Sequence, residues 1–245
     1  MVTLADLRQA LASSLETPAE FICQTALNLY KSPQQESLVT QAAAGRHLRP
    51  IAIPQEPEEM LAAIEVCLCE DDYPGWLAIA DLPHLQPAPT PYQPTPLTRA
   101  AIQARLPAVI DFTQAAMAQP NQYLWGGTIG PNYDCSGLMQ TAFAAAGIRL
   151  PRDAYQQEAF TQPIALTNLQ PGDLIFFGTA ERTTHVALYL GQGRYIHSSG
   201  KDQGRNGIGL DSISDLTDPV SLTYHQQIKG AGRVMSSYLP AIASP

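Results

Sequence analysis

Six prolines fall within fourteen residues of this 245-residue chain, at positions 83, 87, 89, 91, 94 and 96. Neither a helix nor an inner strand runs through such a stretch, because each proline lacks an amide hydrogen and fixes its φ. An extended, semi-rigid connector is what the run favours. It predicts a linker over 83–97, a small domain over 1–82 and a larger one over 98–245. Charge changes at the same place. The chain carries a net −8, and residues 1–97 hold 4 Lys and Arg against 12 Asp and Glu, while residues 98–245 hold 10 of each sign. The one basic stretch, Lys201 to Arg205, is too sparse for a nucleic-acid footprint. No apolar run of ~18 residues exists to cross a membrane. Met1 to Asp6 shows no basic start leading into an apolar run, so the expectation is a cytoplasmic protein with reduced cysteines.

The first domain opens with apolar residues at 4, 7, 11 and 15, which is helical spacing. Short strand signals follow at 21–23, 26–30, 64–69 and 77–80. Asp71 to Trp76 contains Pro74-Gly75 and reads as a type II turn. Several short strands in so few residues predict a small β-barrel. The second domain begins with helical patterns over 97–118 and 138–147, the latter stopped by Gly147. Strand signals come next at 173–177, 185–190 and 194–197, so the expected class is α+β with helices packed on an antiparallel sheet. Residues 200–209, with four glycines, read as a flexible surface loop without a phosphate-binding pattern.

Cys135 stands at the start of the predicted helix, in Asp134-Cys135-Ser136-Gly137. A thiol there feels the helix macrodipole and free amides, both of which favour thiolate. The bland alternative is a small buried residue in a helix cap. His185 opens one strand and His197 closes the next, across a turn at Gly191-Gln192-Gly193. A three-residue loop sets His197 opposite Ala187, so both imidazoles share a face as diagonal neighbours. A two-residue loop puts them on opposite faces. With the favourable register, Cys135 attacks a carbonyl, His185 moves the proton and His197 orients His185. Cys23, Cys67, Cys69 and His47 lack zinc spacing and are expected to pack rather than bind metal. No cofactor is expected.

Tyr123-Leu-Trp-Gly-Gly, Asp134-Cys-Ser-Gly, Leu150-Pro-Arg-Asp, Pro171-Gly-Asp-Leu, His185-Val-Ala-Leu-Tyr-Leu-Gly and Tyr195-Ile-His-Ser-Ser-Gly resemble, in order, the NlpC family of bacterial cell-wall cysteine peptidases. That resemblance implies a papain-like catalytic domain with a Cys-His-His triad. Leu27-Asn-Leu-Tyr and Tyr73-Pro-Gly-Trp resemble the bacterial SH3-like barrel that often precedes it. The layout is similar to cyanobacterial γ-D-glutamyl-L-diamino-acid endopeptidases. The implied substrates are murein tri- and tetrapeptides beginning L-Ala-γ-D-Glu-diaminopimelate, met in cell-wall recycling. The resemblance also implies that Tyr123 lies near the thiol and that Asp134, Ser136 and Arg152 line the groove, with Asp153 as a further candidate. Tyr73 would close the groove, and Glu70, Asp71 and Asp72 could supply an anionic wall for the substrate ammonium, against the plainer reading of a solvated turn. Ala154 stands where some relatives carry Ser. An amidase or acyltransferase on the same fold, or an inert murein-binding protein, remain the alternatives.

Overall fold

A computed structural model describes residues 1–12, 19–55, 57 and 60–241. It divides into two compact units, Met1–Pro94 with the segment from Leu239, and Thr95–Tyr238.

In the first unit, α1 (Leu4–Ala12) is started by a reciprocal pair. The Thr3 amide donates to the Asp6 carboxylate (2.8 Å) and the Asp6 amide to the Thr3 hydroxyl (3.3 Å). Leu4 and Leu7 are buried, Leu11 is exposed, and Leu15 lies outside the described residues. Seven strands follow: β1 (Phe21–Cys23), β2 (Leu27–Tyr30), β3 (Leu38–Ala42), β4 (His47–Ala52), β5 (Ala63–Leu68), β6 (Tyr73–Ala78) and β7 (Leu85–Pro87). They form one antiparallel sheet in the order β3-β2-β6-β5-β4-β1-β7 around Leu29, Leu48, Ile64, Leu68 and Leu77.

Three expectations change here. Residues 83–87 are not linker: Pro83 sits in a 3-10 turn, Ile79–His84, and β7 pairs with β1. As an edge strand β7 can hold Pro87 without losing an inner ladder bond. The chain from Leu239 belongs to this unit, where the Ala241 amide donates to Asp72 (2.8 Å), so the second unit ends before 245. Pro74-Gly75 lies inside β6, with Cys67 opposite Pro74. Strand β2 pairs with β6 only at Trp76 and Leu77, so the amide that Pro74 lacks has no partner to lose. The turn itself precedes β6 and uses the left-handed backbone of Asp72 (φ 53°).

The second unit begins with α2 (Arg99–Met117), capped by the Thr98 hydroxyl accepting from the Ala101 amide. A small hairpin, β8 (Thr128–Ile129) and β9 (Asn132–Tyr133), leads into α3 (Cys135–Ala145), which stops at Gly147 (φ 74°). Then come α4 (Ala154–Phe160), β10 (Gln162–Ile164), β11 (Leu174–Gly178), β12 (Thr183–Gly191), β13 (Arg194–Ser199), β14 (Gly207–Ser212), α5 (Pro219–His225) and β15 (Ile228–Arg233). The six-stranded sheet runs β10-β15-β11-β12-β13-β14. Side chains alternate across it. Phe176, Val186, Leu188 and Ile196 pack with Ile102, Val109, Leu138 and Phe143 of α2 and α3, whereas Phe177, Ala187, Tyr195 and Tyr224 form a separate cluster.

Residues 200–209 are not a loop throughout. Lys201–Gln203 form a 3-10 turn, and from Gly207 the chain pairs with β13, Ser199 opposite Gly207 and His197 opposite Gly209. Ladder bonds use the backbone, so glycines do not prevent them. The Asn121 side chain also takes the Ile208 amide (2.7 Å).

Candidate functional site

The turn joining β12 to β13 decides whether the two histidines meet. It has two central residues, Gln192 and Gly193, both at positive φ (54° and 76°), as a type I′ hairpin requires. Taken alone, that turn would put the imidazoles on opposite faces. The ladder, however, shifts between Tyr189 and Gly191: Gly191 opposes Arg194, while Tyr189 opposes Tyr195 and Leu188 opposes Ile196. Leu190 is the bulged residue, and it restores the register that a three-residue loop gives. His185 Nε2 lies 2.7 Å from His197 Nδ1.

The chain of contacts continues to a residue that the sequence reading missed. His197 Nε2 lies 2.7 Å from Asp211 Oδ2 on β14. Gly209 stands directly opposite His197 and offers no side chain, so the imidazole reaches diagonally to Asp211, two residues on. Asp211 also accepts from Arg205 and from the Ser221 hydroxyl (2.8 Å). Burial opposes its charge. The bonds from His197, Arg205 and Ser221 outweigh burial and hold the carboxyl below the usual range. Tyr224 covers the pair, its ring 4.6 Å from that of His185 and 4.8 Å from that of His197, and its hydroxyl bonds Ser199 (2.8 Å).

Cys135 begins α3. Asp134 caps the helix by accepting from the Gly137 amide (2.6 Å) and holds the preceding loop through the Gly126 amide (2.9 Å). Gly137 is required at its place: a Cβ there would come within 2.0 Å of the Gly127 carbonyl oxygen. The helix head is therefore pressed onto the loop of residues 124–127. The Ser136 and Val186 amides hydrogen-bond the Cys135 sulfur, and Val186 is one peptide from His185. These amides favour thiolate, but they do not win. Burial, followed by the Asp134 charge, pushes the thiol up to about 12. The expected thiolate is thus a neutral thiol at rest. Burial also holds His185 well below its ordinary value, with the neighbouring His197 adding to the effect, and it lowers His197 against the opposing pull of Asp211.

Other anticipated residues take different places. Arg152 is 1% exposed and directed inward, donating to Ser136 Oγ (2.9 Å) and to both Asp134 oxygens. Asp134, Ser136 and Arg152 therefore form a buried brace behind the thiol rather than an open groove wall. Asp153 caps α4 in a box with Gln156, and Ala154 is the helix's first residue. Tyr123 is half-buried, and burial first, then the neighbouring Cys135 and Asp134, pushes its phenol up. Trp125 is 69% exposed, so it is not a core residue.

In the barrel, Tyr73 is half-exposed at the start of β6. The proposed anionic wall is internally spent. Arg46 bridges Glu70 (3.1 Å) and Asp71 (2.8 Å), both buried, and Arg49 approaches Asp72 (3.5 Å). The plainer reading of a solvated turn fails for the same reason. Cys23, Cys67 and Cys69 are buried and unbridged, and among the described residues no group of metal-binding side chains forms.

Residues 120–228 match the NlpC/P60 family, and residues 29–82 match the bacterial dipeptidyl-peptidase SH3 domain. A "Probable endopeptidase" of Mycobacterium tuberculosis is 38% identical over 106 residues, 43% of this chain and 27% of that protein. The "Probable endopeptidase p60" of Listeria monocytogenes is 40% identical over 91 residues, 37% of this chain and 18% of its own length. The "Bifunctional muramidase/DL-endopeptidase CwlT" of Bacillus subtilis is 39% identical over 99 residues, 37% of this chain and 30% of its own. The chain thus spans less than a third of these curated relatives. A solved NlpC/P60 family protein from Bacillus cereus gives a TM-score of 0.46 at 23% identity, over 93% of this chain and 66% of that one. Cys135, His185 and His197 all fall within residues 120–228, which match the NlpC/P60 family, and the match to the bacterial SH3 domain precedes them.

Proposed function

We propose that this protein is a cysteine endopeptidase that hydrolyses the γ-D-glutamyl–diaminopimelate bond of murein peptides with a free N-terminal L-Ala. The observation that carries the reaction type is the His185–His197 contact together with a thiol at a capped helix head whose sulfur takes the amide of Val186, next to His185. The Cys135 proton passes to His185 as sulfur bonds the γ-carbonyl carbon of D-Glu, and the Ser136 and Val186 amides, which hydrogen-bond the sulfur, stabilise the thiolate as it forms. His185 returns the proton to the departing diaminopimelate nitrogen as the C–N bond breaks. Water, deprotonated by the same imidazole, hydrolyses the thioester and restores the thiol. His197 orients His185, and Tyr123 stands beside the sulfur as a protonated donor.

The peptide specificity rests on the resemblance of the six motifs and of the barrel's Tyr73-Pro-Gly-Trp segment. With Glu70 and Asp71 neutralised by Arg46, the substrate ammonium must find another acceptor. Short free muropeptides suit an enzyme of cell-wall recycling in the cytoplasm.

The test uses L-Ala-γ-D-Glu-diaminopimelate, its N-acetylated form and intact sacculi, with products read by mass spectrometry. The expected result is one cut after D-Glu in the free peptide, little in the other two, and none with Cys135→Ala, which still binds peptide. Equal cleavage of the acetylated peptide overturns the specificity, and unchanged turnover by Cys135→Ala overturns the mechanism.

A further inference from the structure

We infer that Asp211 is a positioning residue that fixes the tautomers of both histidines, so that the one ring nitrogen left free on His185, Nδ1, is the proton acceptor. This inference rests on the peptidase reading above for its consequence in catalysis, but not for its geometry.

A carboxylate accepts only, so the hydrogen between Asp211 Oδ2 and His197 Nε2 belongs to the histidine. Neutral His197 then has a bare Nδ1, and the hydrogen in its contact with His185 Nε2 must come from His185. Neutral His185 is therefore bare at Nδ1. No other assignment satisfies both contacts while Asp211 is ionised and the rings are neutral. The structure keeps Asp211 ionised by surrounding it with three donors. Arg205 contacts both of its oxygens, Ser221 contacts Oδ1 and His197 contacts Oδ2. Arg205 is held in turn by Asp218 (3.0 Å), which caps α5 through the Val220 and Ser221 amides. Both His197 and the Asp211 side chain are fully buried, so no water competes for these bonds. When His185 takes the thiol proton, the same carboxylate faces the new cation through His197.

A purely structural aspartate and a tautomer-fixing one make opposite demands on substitution. Asn is nearly isosteric with Asp and disturbs packing less than Ala. It can, however, donate its amide hydrogen to His197 Nε2, which reverses both rings and places a hydrogen on His185 Nδ1. The tautomer role therefore predicts that Asp211→Asn loses about 10³-fold in kcat, at least as much as Asp211→Ala, while melting at a higher temperature than Asp211→Ala. Asp211→Glu is expected to recover part of the activity, since it restores an acceptor. If Asp211→Asn is clearly the more active of the two, the inference falls.

Nitrogen-15 NMR of the histidine rings tests it without any turnover. In the unsubstituted protein and in Cys135→Ala, His185 Nδ1 should resonate as a bare, pyridine-type nitrogen and Nε2 as a protonated one. The opposite pattern in the unsubstituted protein overturns the inference even if every Asp211 variant fails to fold. The expected pattern in a protein that cleaves no muropeptide would sink the peptidase reading and leave the tautomer assignment standing.

Discussion

Both units bury a network of charges, and the two networks are built from different chemistry. In the barrel, Arg46 joins Glu70 and Asp71, and Glu70 also accepts the His47 amide (2.8 Å). A guanidinium keeps its proton under all ordinary conditions, so the middle member of this cluster has one charge state. In the second unit, Asp211, His197 and His185 form a chain whose two imidazoles can each gain or lose a proton, and the Cys135 sulfur takes the amide of Val186, next to His185. The barrel network fastens β4 to the turn after β5. The second network can carry a charge change from one end to the other. Burial of polar groups marks both equally; what distinguishes the second is that its middle members titrate.

Breaking the fixed network should therefore cost stability and leave chemistry alone. Arg46→Met leaves two neighbouring carboxylates uncompensated and is expected to cost about 3 kcal/mol in urea unfolding. Adding Glu70→Gln and Asp71→Asn should recover most of that, because the unpaired charges are gone. Cleavage per folded molecule should match that of the unsubstituted protein. A loss of turnover in a fully folded Arg46→Met protein would show that the barrel cluster does more than hold strands together, and the contrast would fail.

The same contrast explains what the sequence discloses. Cys135 is legible because its signal is local: a capping Asp precedes an apolar helix whose first turn holds Ser136 and Gly137. The histidine pairing is half legible. The turn was expected to have three central residues and has two, and only the bulge at Leu190 preserves the predicted register. Asp211 is not legible. Its strand contains Gly207 and Gly209, so no alternation of apolar and polar residues announces it, and it pairs with His197 only after β13 and β14 come together. Glu70 and Asp71 mislead for a related reason. Their partner Arg46 lies more than twenty residues earlier, and nothing near it in sequence signals the meeting. Pro74-Gly75 misleads in the opposite direction: the local turn signal is real, but β6 tolerates it where β2 does not pair.

A gentler perturbation addresses the resting state of the titrating network. With the thiol pushed up to about 12 by burial and His185 held low, neither Cys135 nor His185 is charged before substrate arrives. Alkylation reads the thiolate fraction, so the rate of iodoacetamide labelling at Cys135 should rise about tenfold per pH unit between roughly pH 7 and pH 10. Labelling followed by peptide mass spectrometry separates Cys135 from the barrel cysteines. A rate that is already level near pH 6 would mean a resting thiolate–imidazolium pair, and the site would then be a fixed ion pair like the barrel's.

The smallest effect is expected at an ion pair that water reaches. Lys229 pairs with Glu158 at 3.2 Å, with side chains 27% and 30% exposed. Water screens this contact, and ordering a long lysine side chain offsets much of the attraction, so its net worth is about 0.3 kcal/mol. Glu158 also accepts the Thr183 hydroxyl, which stays in place without the lysine. Lys229→Met should therefore shift the urea midpoint by little more than the error of the measurement, and added salt should remove even that. A loss comparable to that of Arg46→Met would mean that charge pairing alone, rather than its burial, sets the cost of breaking these networks. The distinction would then rest wholly on which members can give up a proton.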